Sequence, residues 1–446
     1  MKVFIISILL SLYAFYLVLI NNDKKAIFLI IFSIPIFYYP LENSKLHIGI
    51  NIGMSGMIIL ATWLAMKFKG RNTNWKNLSP NFPYLYYLLL AGIILGLVYQ
   101  DFGLEYMGGR YFNILSPMQQ ILNNSIFILL VILFLKILSP FQYDIHFLET
   151  SARIFSYSIF LQVFSQFLKI IGYEDILFGL LSSGGVYNSW DVRNFGLWGG
   201  FGLGVYVVLI ISFSLLYYYN NKKVSLLCIL LVLIYSFVTN QRQTIAFIIL
   251  FFILFILINM IRNKLSISHF LLLFVLSTSV LFIWKPALSK ISIFRRFAPA
   301  IESINDGLIL EASGRNVKAL PFVIADLKNY PLTGRGLLNL GNTAYSNTNL
   351  AGHVVWFNIY QKLGIAGVIY LLFILIIPIC KLCKIALTTR NTGIFHESSI
   401  LFSLVVVVFI QQFWDNFFSF SNTMLLYAFI YFWGCSFFNR VKLMEI

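Results

Sequence analysis

Apolar runs recur along the whole chain, each close to twenty residues long and separated mostly by short polar connections. A run of about twenty residues crosses a hydrocarbon core of roughly 30 Å as a helix, the form in which a single segment satisfies its own backbone in lipid. Hydropathy in windows of that length predicts helices near 3–20, 25–40, 46–66, 83–99, 118–138, 152–172, 196–218, 224–239, 243–261, 268–284, 354–380, 398–414 and 421–438. The predicted fold is an all-α polytopic membrane protein of about 12–13 transmembrane helices. The first run, Val3 to Ile20, follows one lysine and has no small-residue cleavage site, so it reads as a retained span with the chain beginning at Met1.

The polar interruptions orient the spans. Lys67, Lys69, Arg71 and Lys76 share one connection, Lys222 and Lys223 a second, Arg262 and Lys264 a third, and Lys381, Lys384 and Arg390 a fourth. Basic loops of this size stay in the cytoplasm. The connections near 100–117, 173–195, 239–243, 285–353 and 415–421 then face outward. Thirteen spans put Met1 outside, against the preference of Lys2, which leaves the parity of the first spans open. Residues 285–353 form the one large hydrophilic segment, dividing the chain into an N-terminal bundle (1–284), this outward, periplasmic loop and a C-terminal bundle (354–446). The loop carries eight Lys and Arg against four acids, which a loop longer than about 60 residues tolerates on the outer side. Leu320, Ile324 and Leu327 recur at helical spacing ahead of Tyr330-Pro331, predicting a short amphipathic helix along the membrane surface.

Composition removes other classes. Of 446 residues, 59% are hydrophobic and 11% charged, too apolar for a soluble domain. The net charge of +16 is spread among loops between spans, a pattern suited to anionic headgroups and anionic substrates and not to nucleic acid. The four cysteines, Cys228, Cys380, Cys383 and Cys435, lie in or beside apolar runs and read as packing residues; Cys380-x-x-Cys383 has no partner pair for zinc. No Asp or Glu is expected in mid-span, which argues against a proton-coupled transporter.

Charge gathers instead at the outer helix ends: Arg193, Arg242, Arg315, Arg335 and His353. Several guanidinium forks suit a diphosphate, because each presents paired donors to phosphate oxygens and stays protonated. Arg242, in the short outer turn Thr239-Asn240-Gln241-Arg242-Gln243, is pinned at headgroup level, where interfacial snorkelling accounts for an arginine equally well. Arg193 and Arg335 sit in outward loops that carry solvated arginines routinely, and Arg315 follows Ser313-Gly314, where a helix N-terminus adds backbone donors. His353 lies where the large loop re-enters the membrane; a lone histidine is usually structural, but an imidazole there can accept a proton from a sugar hydroxyl. Trp190, Trp198, Trp356 and Trp414 near the outer boundary read as interfacial belt residues.

The series Ser313-Gly314-Arg315, Tyr330-Pro331-Leu332-Thr333-Gly334-Arg335-Gly336, Gly352-His353, Asn358-Ile359-Tyr360 and Leu363-Gly364-Ile365-Ala366-Gly367 resembles the bacterial O-antigen polymerase and ligase superfamily. In that family an asparagine commonly follows the histidine directly; here Asn358 comes five residues later. Arg242 matches the family's arginine at the start of a span, and Arg193 with Gly204 fits a looser Arg-x10-Gly pattern of polymerases, as do Arg296 and Gly307. The resemblance implies a GT-C-like membrane glycosyltransferase of the bacterial inner membrane. It would transfer an undecaprenyl-diphosphate-linked oligosaccharide to a hydroxyl with inversion, needing neither metal nor cofactor. His353 and Arg315 would be catalytic, and Arg193, Arg242 and Arg335 would hold the diphosphate, with Asp415 a reserve base. Its partners would be the lipid-linked oligosaccharide, membrane lipids and a chain-length regulator, with no nucleic acid. Polymerase is the first expectation; a ligase that caps lipid A-core shares the same residues, and a lipid-linked oligosaccharide flippase needs no 69-residue outward loop.

Overall fold

The computed structural model describes residues 2–36, 53–71, 83–98, 117–170, 203–217, 222–238, 242–263, 328, 330, 332–334, 336–337, 355–413 and 421–444. Among them the regular structure is helical: α1 (Lys2–Leu19), α2 (Asp23–Ser33), α3 (Met54–Phe68), α4 (Pro83–Val98), α5 (Pro117–Leu138), α6 (Ile145–Ile170), α7 (Leu203–Tyr217), α8 (Lys222–Val238), α9 (Arg242–Asn263), α10 (Val355–Thr388), α11 (Thr392–Gln411) and α12 (Ser421–Met444). The run expected near 268–284 and the helix expected before Tyr330 fall outside the described residues, apart from Lys328.

Thr244–Arg262, Ile359–Thr388 and Thr392–Gln411 are each long and apolar enough to cross a membrane, and shorter apolar stretches include Ile5–Leu19, Met54–Phe68 and Leu203–Leu216. The outward faces are apolar too. Leu9, Leu12 and Tyr16 make an exposed stripe on α1, and Leu226, Leu230 and Ile234 another on α8, the i, i+3/i+4 pattern of one helix face. In water such stripes would aggregate; in lipid they are solvated. The chain is a helical membrane protein.

At the centre stands α7, whose residues Val205 to Ile211 have no exposed surface, with α6, α8, α9 and α11 packed around it. Aromatic rings lock the neighbours: Phe213 lies 4.8 Å from Trp433 of α12, and Phe155 of α6 lies 5.0 Å from Phe429 of α12. Apolar burial drives little helix association once lipid surrounds the chain, so close packing and satisfied polar groups carry the assembly. Buried serines accordingly donate to their own helix one turn back, Ser151 to the Phe147 carbonyl, Ser212 to Val208 and Ser403 to Ser399.

One end of the bundle is a belt of polar contacts. In the turn between α1 and α2, Asn21 accepts from Lys69 (2.7 Å) and Arg71 (2.9 Å), and Asp23 pairs with Arg71 at 3.3 Å. Lys24 reaches Asp144 at 2.6 Å. Beyond it, Gln142 accepts from Asn439 (3.0 Å) and from Ser436. Glu397 accepts from Trp433 (2.9 Å) and Arg440 (2.5 Å). His396 lies 3.4 Å from the Leu215 carbonyl, and the Arg262 guanidinium sits 3.7 Å above the Phe395 ring. Lys69, Arg71, Arg262 and Lys381 meet this end, as do the close of α7 and the start of α8, where Ser225 donates to the Ser214 carbonyl; it is called the basic end below. The Asn21–Lys24 turn belongs to it, so α1 runs toward it from the far end.

Helices α10 and α12 run past their expected ends at 380 and 438, to Thr388 and Met444, and two helix starts differ from expectation. Helix α11 begins at Thr392 rather than 398, because Asn391 caps it by accepting from the amides of Gly393 (2.9 Å) and Ile394 (3.2 Å). Glu397 therefore lies in the second turn of α11, buried and paired, rather than in the connection before it. Likewise α6 begins at Ile145 rather than 152, capped by Asp144, whose Oδ1 accepts from the Phe147 amide at 3.0 Å. The Lys24 ammonium bonded to Asp144 holds that carboxyl below its usual value.

Candidate functional site

Helices α4, α10 and α11 carry the site at the end opposite the basic belt. Helix α10 is broken near its start: Gly364 has φ 61° and ψ −157°, which separates a first piece, Val355–Leu363, from the long run that follows. Into this break folds a short strap of chain, described at Tyr330, at Leu332 to Gly334 and at Gly336 and Leu337. Gly334 (φ 62°) rests on the break, where a β-carbon would stand 2.6 Å from the Tyr360 carbonyl and from the Gly364 amide nitrogen. The Leu332 carbonyl in turn lies where a β-carbon on Gly364 would be. Gly336 (φ 79°) presses its α-carbon onto the backbone of Gly96 in α4. Only glycine allows these left-handed angles and approaches together.

The strap is bonded as well as packed. The Leu337 amide donates to the Gly92 carbonyl at 2.9 Å, and the Tyr360 hydroxyl donates to the Tyr330 carbonyl at 3.3 Å. Leu337 is 1% exposed, wedged between Gly92 and Gly96, whereas Leu332 and Thr333 face out. Gly92 and Gly96, four apart on one face of α4, make the groove that receives it; this small-x-x-x-small spacing was readable in the sequence and went unused.

Beside the strap opens an apolar cavity of about 220 Å³ between α4, α5, α10, α11 and α12. It runs from Ile359 and Gln412 at the strap end to Leu382 and Phe438 toward the basic end. Leu363 joins the two features, lining the cavity while packing at Gly92 beside Leu337. Trp356 closes the region by packing on Phe409 (6.0 Å) and Phe413 (5.6 Å) of α11.

Of the residues singled out from sequence, Arg193, Arg315, Arg335, His353 and Asp415 lie outside the described residues. Arg242 is the first residue of α9, at the strap end, since α9 closes with Arg262 in the basic belt. Arg335 is enclosed in sequence by Gly334 and Gly336, both fixed by the contacts above. The structure adds Lys362, a lysine 6% exposed two residues before the break, which sequence reasoning passed over because it sits in an apolar run. Among the described residues no group of three His, Cys, Asp or Glu side chains gathers to hold a metal. No protein-family model matches the chain, and no curated protein matches it at a significant level.

Proposed function

We propose that this protein is an O-antigen polymerase, a membrane glycosyltransferase of the bacterial inner membrane that joins undecaprenyl-diphosphate-linked repeat units into a polysaccharide at the periplasmic face. In this reading the chain has thirteen spans, the basic belt faces the cytoplasm as short Lys- and Arg-rich loops do, and the strap end faces outward. The observation that carries the proposal is the strap: two glycines lock the peptide on either side of Arg335 against α4 and α10, next to an apolar cavity. In this reading the Arg335 guanidinium pairs with the diphosphate of a lipid whose chain lies in the hydrocarbon-lined space.

The chemistry follows from charge. The acceptor hydroxyl oxygen attacks the anomeric carbon and gives its proton to His353. The bond from that carbon to the diphosphate breaks, and the carrier diphosphate leaves with the electron pair, so the configuration inverts. Arg193, Arg242, Arg315 and Arg335 stabilise the departing anion, and preorganised donors of this kind supply the largest share of such catalysis. A ligase would use the same groups with lipid A-core as acceptor.

Reconstitution of the purified protein with a lipid-linked repeat unit tests the reading. Glycan should lengthen with the unmodified protein and stop with His353→Ala, Arg315→Ala or Arg335→Ala. Arg242→Lys keeps charge without the planar fork and should slow lengthening roughly tenfold or more. Lengthening at full rate in all four variants would refute the proposed site.

A further inference from the structure

The corner where α1 and α3 end carries more positive charge than it neutralises. Both helices close through a left-handed residue, Asn21 (φ 64°) and Gly70 (φ 62°), after which the Asn22 amide returns to the Leu17 carbonyl (2.8 Å) and the Arg71 amide to the Met66 carbonyl (2.9 Å). These matched stops bring Asn21 beside Lys69 and Arg71, and one neutral oxygen, Asn21 Oδ1, accepts from both cations. Arg71 also pairs with Asp23, and Lys24 with Asp144; among the described residues Lys69 meets no carboxylate. With Lys25 and Lys67 exposed beside them in sequence, five cations stand against two acids. An ammonium has three N–H donors and a guanidinium a fork of five, so the contacts to Asn21 and Asp23 use only part of what Lys69 and Arg71 offer.

From this corner an apolar face leads away along both helices. Phe15 of α1 meets Phe68 of α3 edge-on at 6.1 Å, which joins the two helices, and Leu12 and Tyr16 on α1 and Leu64 and Phe68 on α3 are exposed, each pair one turn apart. Phe68 is 78% exposed and immediately precedes Lys69. We propose that the phosphate of an anionic phospholipid, in the leaflet at the basic end, binds between Lys69 and Arg71, with its acyl chains along Leu12, Tyr16, Leu64 and Phe68. The phosphate accepts from both cations at once and offsets the repulsion between two like charges held on one neutral oxygen. A soluble anion would account for the corner alone; a phospholipid accounts for the corner and for the apolar face that leads from it. The site lies at the end opposite the strap and stands whether or not the protein lengthens a glycan.

Purified full-length protein in detergent would be titrated with dioleoylphosphatidylglycerol or dioleoylphosphatidylcholine, and bound lipid counted by native mass spectrometry. The tightest phosphatidylglycerol site should weaken about fivefold in Lys69→Gln and by at least as much in Arg71→Gln, the worth of one cation beside an anionic headgroup, while phosphatidylcholine binding stays the same in both. Lys69→Gln keeps the Arg71–Asp23 pair and should melt with the unmodified protein, so it decides the question even where Arg71→Gln loosens the corner. Lys384→Gln removes an equal charge from an exposed position on α10 at the same end and should leave that site intact. Unchanged phosphatidylglycerol binding in Lys69→Gln overturns the proposal. So does an equal loss in Lys384→Gln, which would make the effect one of net charge, and so does displacement of the lipid by millimolar inorganic phosphate, which would make the corner a site for a free anion.

Discussion

Replacing Gly336 by alanine inverts the logic of the strap with a single methyl group. An L-residue at φ 79° costs about 1 kcal/mol on conformational grounds. The added carbon would also overlap the backbone of Gly96 and Leu95, which no side-chain rotation relieves. The strap must then lift. Lifting breaks the 2.9 Å bond from the Leu337 amide to the Gly92 carbonyl, worth about 1 kcal/mol, and uncovers Leu337, worth about 2 kcal/mol. Because the lifted strap no longer bears the strain, the loss is that of the bond and the burial, roughly 3 kcal/mol or somewhat over a hundredfold in the docked population. Amide hydrogen exchange on a peptide containing Leu337 reads this directly: exchange should accelerate by about two orders of magnitude. Gly70→Ala is the control, because Gly70 has φ 62° but open space around it, so only the conformational cost applies and Leu337 keeps its protection. Unchanged exchange at Leu337 in Gly336→Ala would show that the strap is not held by this contact.

Two further predictions concern the basic end. Arg440→Ala leaves Glu397 buried without its cation and should destabilise by about 3–5 kcal/mol in thermal melting, whereas replacing both residues by leucine should restore most of the loss. If the single and double variants melt together, the pair is not what holds α11 to α12. Asp144→Ala should lose about 1 kcal/mol with the α6 cap, and Asp144→Asn less. Because Lys24 lowers the Asp144 pKa, the charge-dependent part of its stabilisation is present above the ordinary value of 3.8 and vanishes as pH falls through the lowered one. The gap between the native protein and Asp144→Asn should therefore close only below about pH 4; a gap that closes near neutrality would assign it to another group.

The apolar runs made most spans legible, since α4, α5, α9 and α12 begin within one residue of the positions read from hydropathy. The misreadings share a cause. Helices α6 and α11 open with polar turns, His146 to Thr150 and His396 to Ser399, that a hydropathy window scores as loop. Their caps, Asp144 and Asn391, were the better signal, because a side-chain acceptor satisfying the first amides defines a start whatever the polarity beyond it. The direction of α1 relative to the basic end was illegible because it rests on the contacts of Asn21, Asp23 and Lys24 with residues about fifty or more positions away. At the candidate site the glycines of the Tyr330–Gly336 and Leu363–Gly367 motifs were visible, but not that they face each other across a helix break.

The central claim, polymerisation of lipid-linked repeat units, meets its most direct test in the electrophoretic profile of surface lipopolysaccharide after deletion of the gene and restoration with the unmodified or Arg335→Ala chain. The account predicts a ladder that collapses to core plus one repeat unit on deletion, returns with the unmodified chain and stays collapsed with Arg335→Ala; a full ladder in the deletion strain would contradict it.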